Sequence, residues 1–125
     1  MAEWGTQHWP TELRLKRAER TLEIVFDDGS NFHLPAEYLR VESPSAEVQG
    51  HGPSQKQLVP GKSGVGIERI EPVGHYAVRL VFDDGHDTGI YSWSYLHELG
   101  VEQARRWPAY LAALERAGLK RGAKG

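Results

Sequence analysis

No cysteine occurs in this chain of 125 residues. That absence excludes disulfides, thiolate ligation of an iron–sulfur cluster, thiol catalysis and any cysteine-type zinc site supplied by the chain alone. An apolar run of the roughly 20 residues needed to span a bilayer is also missing. Residues 1–10 contain Glu3, Trp4, His8 and Trp9 but no basic segment leading into an apolar one, so they do not read as a signal peptide. The expectation is a cytoplasmic protein with no membrane partner. Charge of one sign is scarce too: a formal net charge of -2 and a pI near 6.3 give no pull toward phosphate backbones, and nucleic acid is not an expected partner. Pro60-Gly61-Lys62-Ser63 lacks the earlier glycine of a phosphate-binding loop and reads as a plain loop.

What is present suits one domain with one core, since 39% hydrophobic and 26% charged residues are ordinary globular proportions. Glu12 to Lys16 and Leu22 to Phe26 alternate polar and apolar side chains, which predicts an antiparallel hairpin turning through Arg17 to Arg20. Asp27-Asp28-Gly29-Ser30 is a turn signal, and Asn31 to Leu34 returns as a third strand. Pro35 to Arg40 predicts a short helix, and Ser43 to Val48 opens a second short turn. Gln49 through Lys62 is an unpatterned polar loop.

The pattern then begins again. Val65 to Ile70, a Pro72-Val73-Gly74 turn and the strand Tyr76 to Phe82 lead into Val81-Phe82-Asp83-Asp84-Gly85, which copies Val25-Phe26-Asp27-Asp28-Gly29. Tyr95-Leu96 answers Tyr38-Leu39 once a single residue is slipped. The expected fold is therefore α+β: two duplicated antiparallel strand-turn-strand-helix units forming small sheets packed with short helices, plus a C-terminal helix. A short helix from Ser92 is expected to stop at Gly100, and a second from Val101 to Ala117 either starts or kinks at Pro108 and closes at Gly118. Residues 1–10 are read as an N-terminal arm, 11–118 as the single domain and 119–125 as a basic flexible tail.

Leu34 to Gly52, together with Val81 to Tyr95 (VFDDGHDTGIYSWSY), resembles the gamma-butyrobetaine hydroxylase-like N-terminal domain family over roughly Thr11 to Gly100. The resemblance implies company with iron chemistry, because such domains stand alone in bacteria, precede 2-oxoglutarate oxygenases, or are appended to P-loop Fe–S cluster carriers. Family oxygenases hold a structural zinc with three cysteines and a later histidine. Here Ser43, Ser45 and Val48 stand at the cysteine positions and only His86 remains, so that zinc is expected to be absent and no cofactor is expected. The oxygenase active site belongs to a separate catalytic domain, so catalysis does not carry over.

Three functional readings follow. The first is a non-catalytic binding or accessory module, with an Fe–S carrier or oxygenase as protein partner and Ser43, Ser45, Gln49, His51 and Lys62 on its contact loop. The second is a metal-binding protein using His51 and His86 with Asp84 or Glu47, a donor set suited to iron or another transition metal. The third, a small hydrolase or isomerase, needs Asp83, Asp84 and His86 to converge in a pocket. Asp27, Asp28, Asp83 and Asp84 are otherwise explained by turn geometry. His33, His75 and His97 show no ligand spacing, and His8 lies near the terminus. Trp93 and Trp107 read as core, Trp4 and Trp9 as open between core and surface. Arg105-Arg106, Arg116, Lys120-Arg121 and Lys124 read as a solvated helix face. The oligomeric state is not encoded in any of these patterns.

Overall fold

The structure, a computed structural model, describes residues 8–50 and 56–122. Strands β1 (Pro10–Lys16), β2 (Thr21–Phe26) and β3 (Asn31–Pro35) form one antiparallel sheet in that order, followed by helices α1 (Ala36–Val41) and α2 (Ala46–Gln49). Strands β4 (Ile67–Val73), β5 (Ala77–Phe82) and β6 (Ile90–Ser92) form the second, followed by the long helix α3 (Trp93–Ala117). No helix among the described residues is long and apolar enough to cross a membrane.

The duplication extends to fine detail. Each sheet carries one register irregularity at the same place, between Pro10 and Glu12 in the first and between Ile67 and Arg69 in the second. In both turns the first aspartate is tied to the segment ahead of the opening strand. Asp27 N–H donates to Trp9 O while Trp9 N–H donates to the Asp27 carboxylate, and Asp83 and Gly66 repeat the exchange. Glycine follows at φ 88° (Gly29) and φ 93° (Gly85), a conformation that side-chain-bearing residues rarely adopt.

Period-two alternation places Leu22, Ile24 and Phe26 of β2 and Val78, Leu80 and Phe82 of β5 in one shared core, with Tyr38, Leu39, Tyr91, Leu96 and Leu99 from the remaining elements. Each such side chain contributes about 1.5–3 kcal/mol on burial. The two copies also exchange a reciprocal bond. Tyr38 Oη donates to Leu99 O at 2.7 Å, and Tyr95 Oη donates to Glu42 O at 2.5 Å, so the helix tyrosine of each copy satisfies a carbonyl of the other.

Three expectations are corrected. Gly100 does not stop a helix, and Pro108 does not start one: α3 runs unbroken from Ser92, whose hydroxyl caps Tyr95 N–H, to Gly118 at φ 71°. Gly100 permits a close approach, because its backbone lies against the Phe32 ring. Pro108 removes one helical hydrogen bond, yet Trp107, Tyr110 and Leu114 around it pack on Tyr38, Val41 and Val59 and hold the turn in place. The turn read at Pro72 lies further on, at Gly74 to Tyr76; Pro72 is inside β4, an edge strand, where a missing N–H is tolerated. Trp9 is exposed, Trp93 and Trp107 pack against the core, and Trp4 lies outside the described residues.

The described part of the basic tail is fastened. Gly61 and Ser63 donate backbone N–H bonds to Lys120 O and Arg121 O, and the Arg121 guanidinium grips both oxygens of the buried Glu37 at 2.7 and 3.0 Å while lying over Trp107.

Candidate functional site

Ser43, Ser45 and His86, three of the positions to which the resemblance drew attention, come together as a hydrogen-bonded cluster. Ser45 caps α2 by accepting Glu47 N–H, which leaves Glu47 facing His86 across from the second turn. His86 follows that turn, where Asp84 accepts its backbone N–H at 3.0 Å just as Asp28 accepts Ser30 N–H in the first copy. The imidazole is buried: Nδ1 lies 3.0 Å from Glu47 Oε1 and Nε2 lies 2.9 Å from Ser43 Oγ. An ionised carboxylate only accepts, so Nδ1 carries the proton and Nε2 accepts from the Ser43 hydroxyl. Ser43 Oγ accepts Ser45 N–H in turn, Ser45 Oγ meets Thr88 Oγ1 at 2.7 Å, and Gln49 donates to Ser43 O.

This connectivity is that of a Ser-His-Glu triad, but the surroundings forbid its use. Ser43 is 0% exposed, and a Cβ on Gly89 would fall 2.6 Å from its hydroxyl. Ser43 thus offers no surface to a substrate carbonyl, and the cluster braces α2 against the second turn, with the Glu47 side chain exposed at its outer end. Zinc does not fit it either. Two hydroxyls and the buried Val48 alkyl group replace thiolates, and the 2.9 Å separation of Ser43 and His86 is a direct hydrogen bond.

Burial and the nearby Arg40 charge lower the His86 pKa from its ordinary 6.5, so the folded state prefers neutral imidazole. The unfolded chain takes up this proton more readily, and stability is therefore lost as pH falls below about 6.5. Chemical denaturation of wild type between pH 7.5 and 5 should show a decline that is shallower in His86→Gln; equal slopes would contradict the neutral assignment.

Asp84 is paired with two bases. Its Oδ2 accepts from Arg40 Nε at 2.8 Å and Lys62 Nζ at 2.7 Å. Burial alone would raise its carboxyl, but Lys62, the His86 N–H and Arg40 bring it down to about 2. Asp83 and Asp84 border a cavity of about 400 Å³ with Gly61 to Val65, and His86 is not in its wall. The convergence that a hydrolase reading requires is therefore lacking there. His51 lies outside the described residues.

Of the expected contact residues, Ser43 and Ser45 face inward, Gln49 and Lys62 are spent on internal bonds, and the outer part of the loop forms a groove instead. The segment Lys56 to Val59 lies along α3, with Tyr110 Oη donating to Val59 O, and encloses about 520 Å³ against Val41, Ala109 and Ala113. Its polar floor is closed: buried Glu42 accepts from Lys56 Nζ at 2.8 Å and Arg106 Nη1 at 2.9 Å, and Arg106 also reaches Glu98 and Glu102. Sequence reading missed this groove because its two walls are far apart in the chain.

Comparison with known proteins places these features. A family model described as gamma-butyrobetaine hydroxylase-like, N-terminal, matches residues 13–97. A solution NMR structure is 52% identical over 98% of this chain and 91% of that chain, with a TM-score of 0.81. A second is 46% identical over 94% and 92%, also at 0.81. A crystal structure of a protein of unknown function of the DUF971 family, from Acidithiobacillus ferrooxidans, is 43% identical over 73% of this chain and 91% of that chain, at 0.62. No curated protein matches the sequence.

Proposed function

We propose, from the premise that the chain belongs to the gamma-butyrobetaine hydroxylase-like N-terminal family, that it is a non-catalytic binding module presenting the groove between Lys56–Val59 and α3 to a protein partner. The observation that carries this reading is the contrast between its two polar centres. In the Ser43–His86–Glu47 relay, which has reactive connectivity, Ser43 and His86 are buried, while the groove is open, mixed in polarity and lined by charges already paired. Paired charges in a concave wall favour association over turnover, because no group there is left to move a proton. Iron or Fe–S protein metabolism, with an Fe–S carrier or a 2-oxoglutarate oxygenase as partner, is the setting that the family's company supports.

Ala109 is exposed on the groove wall, so Ala109→Arg fills it without touching the core. Anaerobic affinity capture with wild-type chain is expected to recover an Fe–S carrier or oxygenase, with the yield reduced at least about ten-fold, or about 1.4 kcal/mol, by Ala109→Arg and unchanged by Ile90→Arg, an exposed position of β6 that does not line the groove. Equal recovery by all three chains, or recovery of RNA alone, would refute the proposal.

A further inference from the structure

The two aspartate turns meet different chemistry at equivalent places. In the second copy, Asp84 takes one base from the first copy's helix, Arg40, and one from the segment ahead of its own sheet, Lys62. In the first copy, Asp28 takes one base from the second copy's helix, His97, and one from the segment ahead of its sheet, His8. The fold thus brings two bases to each turn carboxylate. At Asp84 both are permanent cations, whereas at Asp28 both are imidazoles, whose neutral forms carry a lone pair.

We propose that His8, Asp28 and His97 bind a divalent transition-metal ion of the borderline class represented by Zn²⁺, Ni²⁺ and Fe²⁺. One ligand atom from each of the three lies within 4.8 Å of the others. Asp28 Oδ2 is 2.9 Å from His97 Nε2 and 3.7 Å from His8 Nδ1. Bonds of about 2.0–2.2 Å to imidazole nitrogen and carboxylate oxygen put neighbouring ligand atoms of one ion roughly 3.0–3.5 Å apart, so the two separations to Asp28 are within a few tenths of an ångström of a bound geometry, and the ring nitrogens, within 4.8 Å of each other, would close on the ion.

The carboxylate is prepared for single-oxygen ligation. Its Oδ1 is held by Ser30 N–H at 2.9 Å and Ser30 Oγ at 2.5 Å, leaving Oδ2 for the imidazoles. Such outer hydrogen bonds orient metal-binding carboxylates. The Ser30 hydroxyl, the Ser30 N–H and His97 hold the Asp28 carboxyl well below the usual range, so it is ionised at neutral pH. His97 is set by edge contacts with Phe26 and Phe32 at ring separations of 4.9 and 5.4 Å. His8 stacks on His97 at 3.6 Å and 8° between planes. His97 Nε2 donates its proton to Asp28 Oδ2 in the empty site; an ion would take that proton's place, releasing it to solvent, and would tilt His8 to converge on it. Two imidazoles and one carboxylate leave positions for water and suit transition ions better than Mg²⁺ or Ca²⁺, which prefer oxygen.

The test uses the full chain without a histidine tag, stripped with chelator and titrated calorimetrically with NiCl₂ and ZnCl₂ at neutral pH, with imidazole resonances followed by NMR during the Zn²⁺ titration. One equivalent is expected, with the His8 and His97 resonances shifting and His33 unmoved. His97→Ala and Asp28→Asn should each weaken binding at least about ten-fold, while His33→Ala should not. His8→Ala removes a ligand outside the family-matched segment and guards against loss of fold in the other two. Absence of binding by wild type, or equal binding by wild type, His8→Ala and Asp28→Asn, would overturn the site. Neither result bears on the groove, which lies elsewhere on α3.

Discussion

Arg106→Met should destabilise the protein by about 2–4 kcal/mol, read as a lower denaturant midpoint at unchanged slope. Glu42 is 5% exposed, and Arg106 reaches it with Nη1 at 2.9 Å while Nε and Nη2 engage Glu102 and Glu98 at 2.7 Å each. Removing the guanidinium leaves a buried carboxylate with Lys56 Nζ as its remaining charged partner among the described residues. The cost is mainly the desolvation of a charge that can no longer be paired fully, not the loss of the surface contacts to Glu98 and Glu102, which are worth little in water. Two controls separate these contributions. Arg106→Lys keeps the charge but not the three-way fork and should fall between wild type and Arg106→Met. Adding Glu42→Gln to Arg106→Met should recover part of the loss, because the stranded charge is then gone; strictly additive losses would mean that the pair is uncoupled.

Gly100→Ala is expected to cost about 1–3 kcal/mol, although alanine in a helix interior normally gains about 1 kcal/mol over glycine. The added Cβ would lie 2.5–2.6 Å from Phe32 Cδ2 and Cδ1 and nearer still to Cγ. Those atoms are at the root of the ring, which is itself flanked by Phe26 and His97, so a simple rotation does not clear the space. Repulsion at that separation exceeds the propensity gain. The sign is testable by thermal or denaturant unfolding, and Phe32→Ala in the same chain should turn Gly100→Ala from harmful to neutral or helpful. An increase in stability from Gly100→Ala alone would show that α3 can shift away from β3.

These results bear on what was legible in the sequence. The hairpins, the aspartate-glycine turns and the duplication are local: alternating side chains choose the face of a strand, and Asp28 and Asp84 bond their own backbone two residues on. Gly100 was misread because a glycine that ends a helix and a glycine pressed against a ring from another strand look the same in one dimension. The clustering of Ser43, Ser45 and His86 was pointed to by the family resemblance, but the sealing of Ser43 by Gly89 was not. The His8, Asp28 and His97 convergence had one faint signal, the alignment of the two copies that sets His97 opposite Arg40 and Asp28 opposite Asp84.

By itself, then, the amino-acid order determined the elements, their repetition and the absence of thiol chemistry, since each depends on neighbouring residues or on composition. Only the docking of one copy against the other decided which polar groups became buried bonds and which stayed open to a ligand. Burial and donor convergence are properties of distances between segments remote in the chain, and those distances exist only once the shared core has closed.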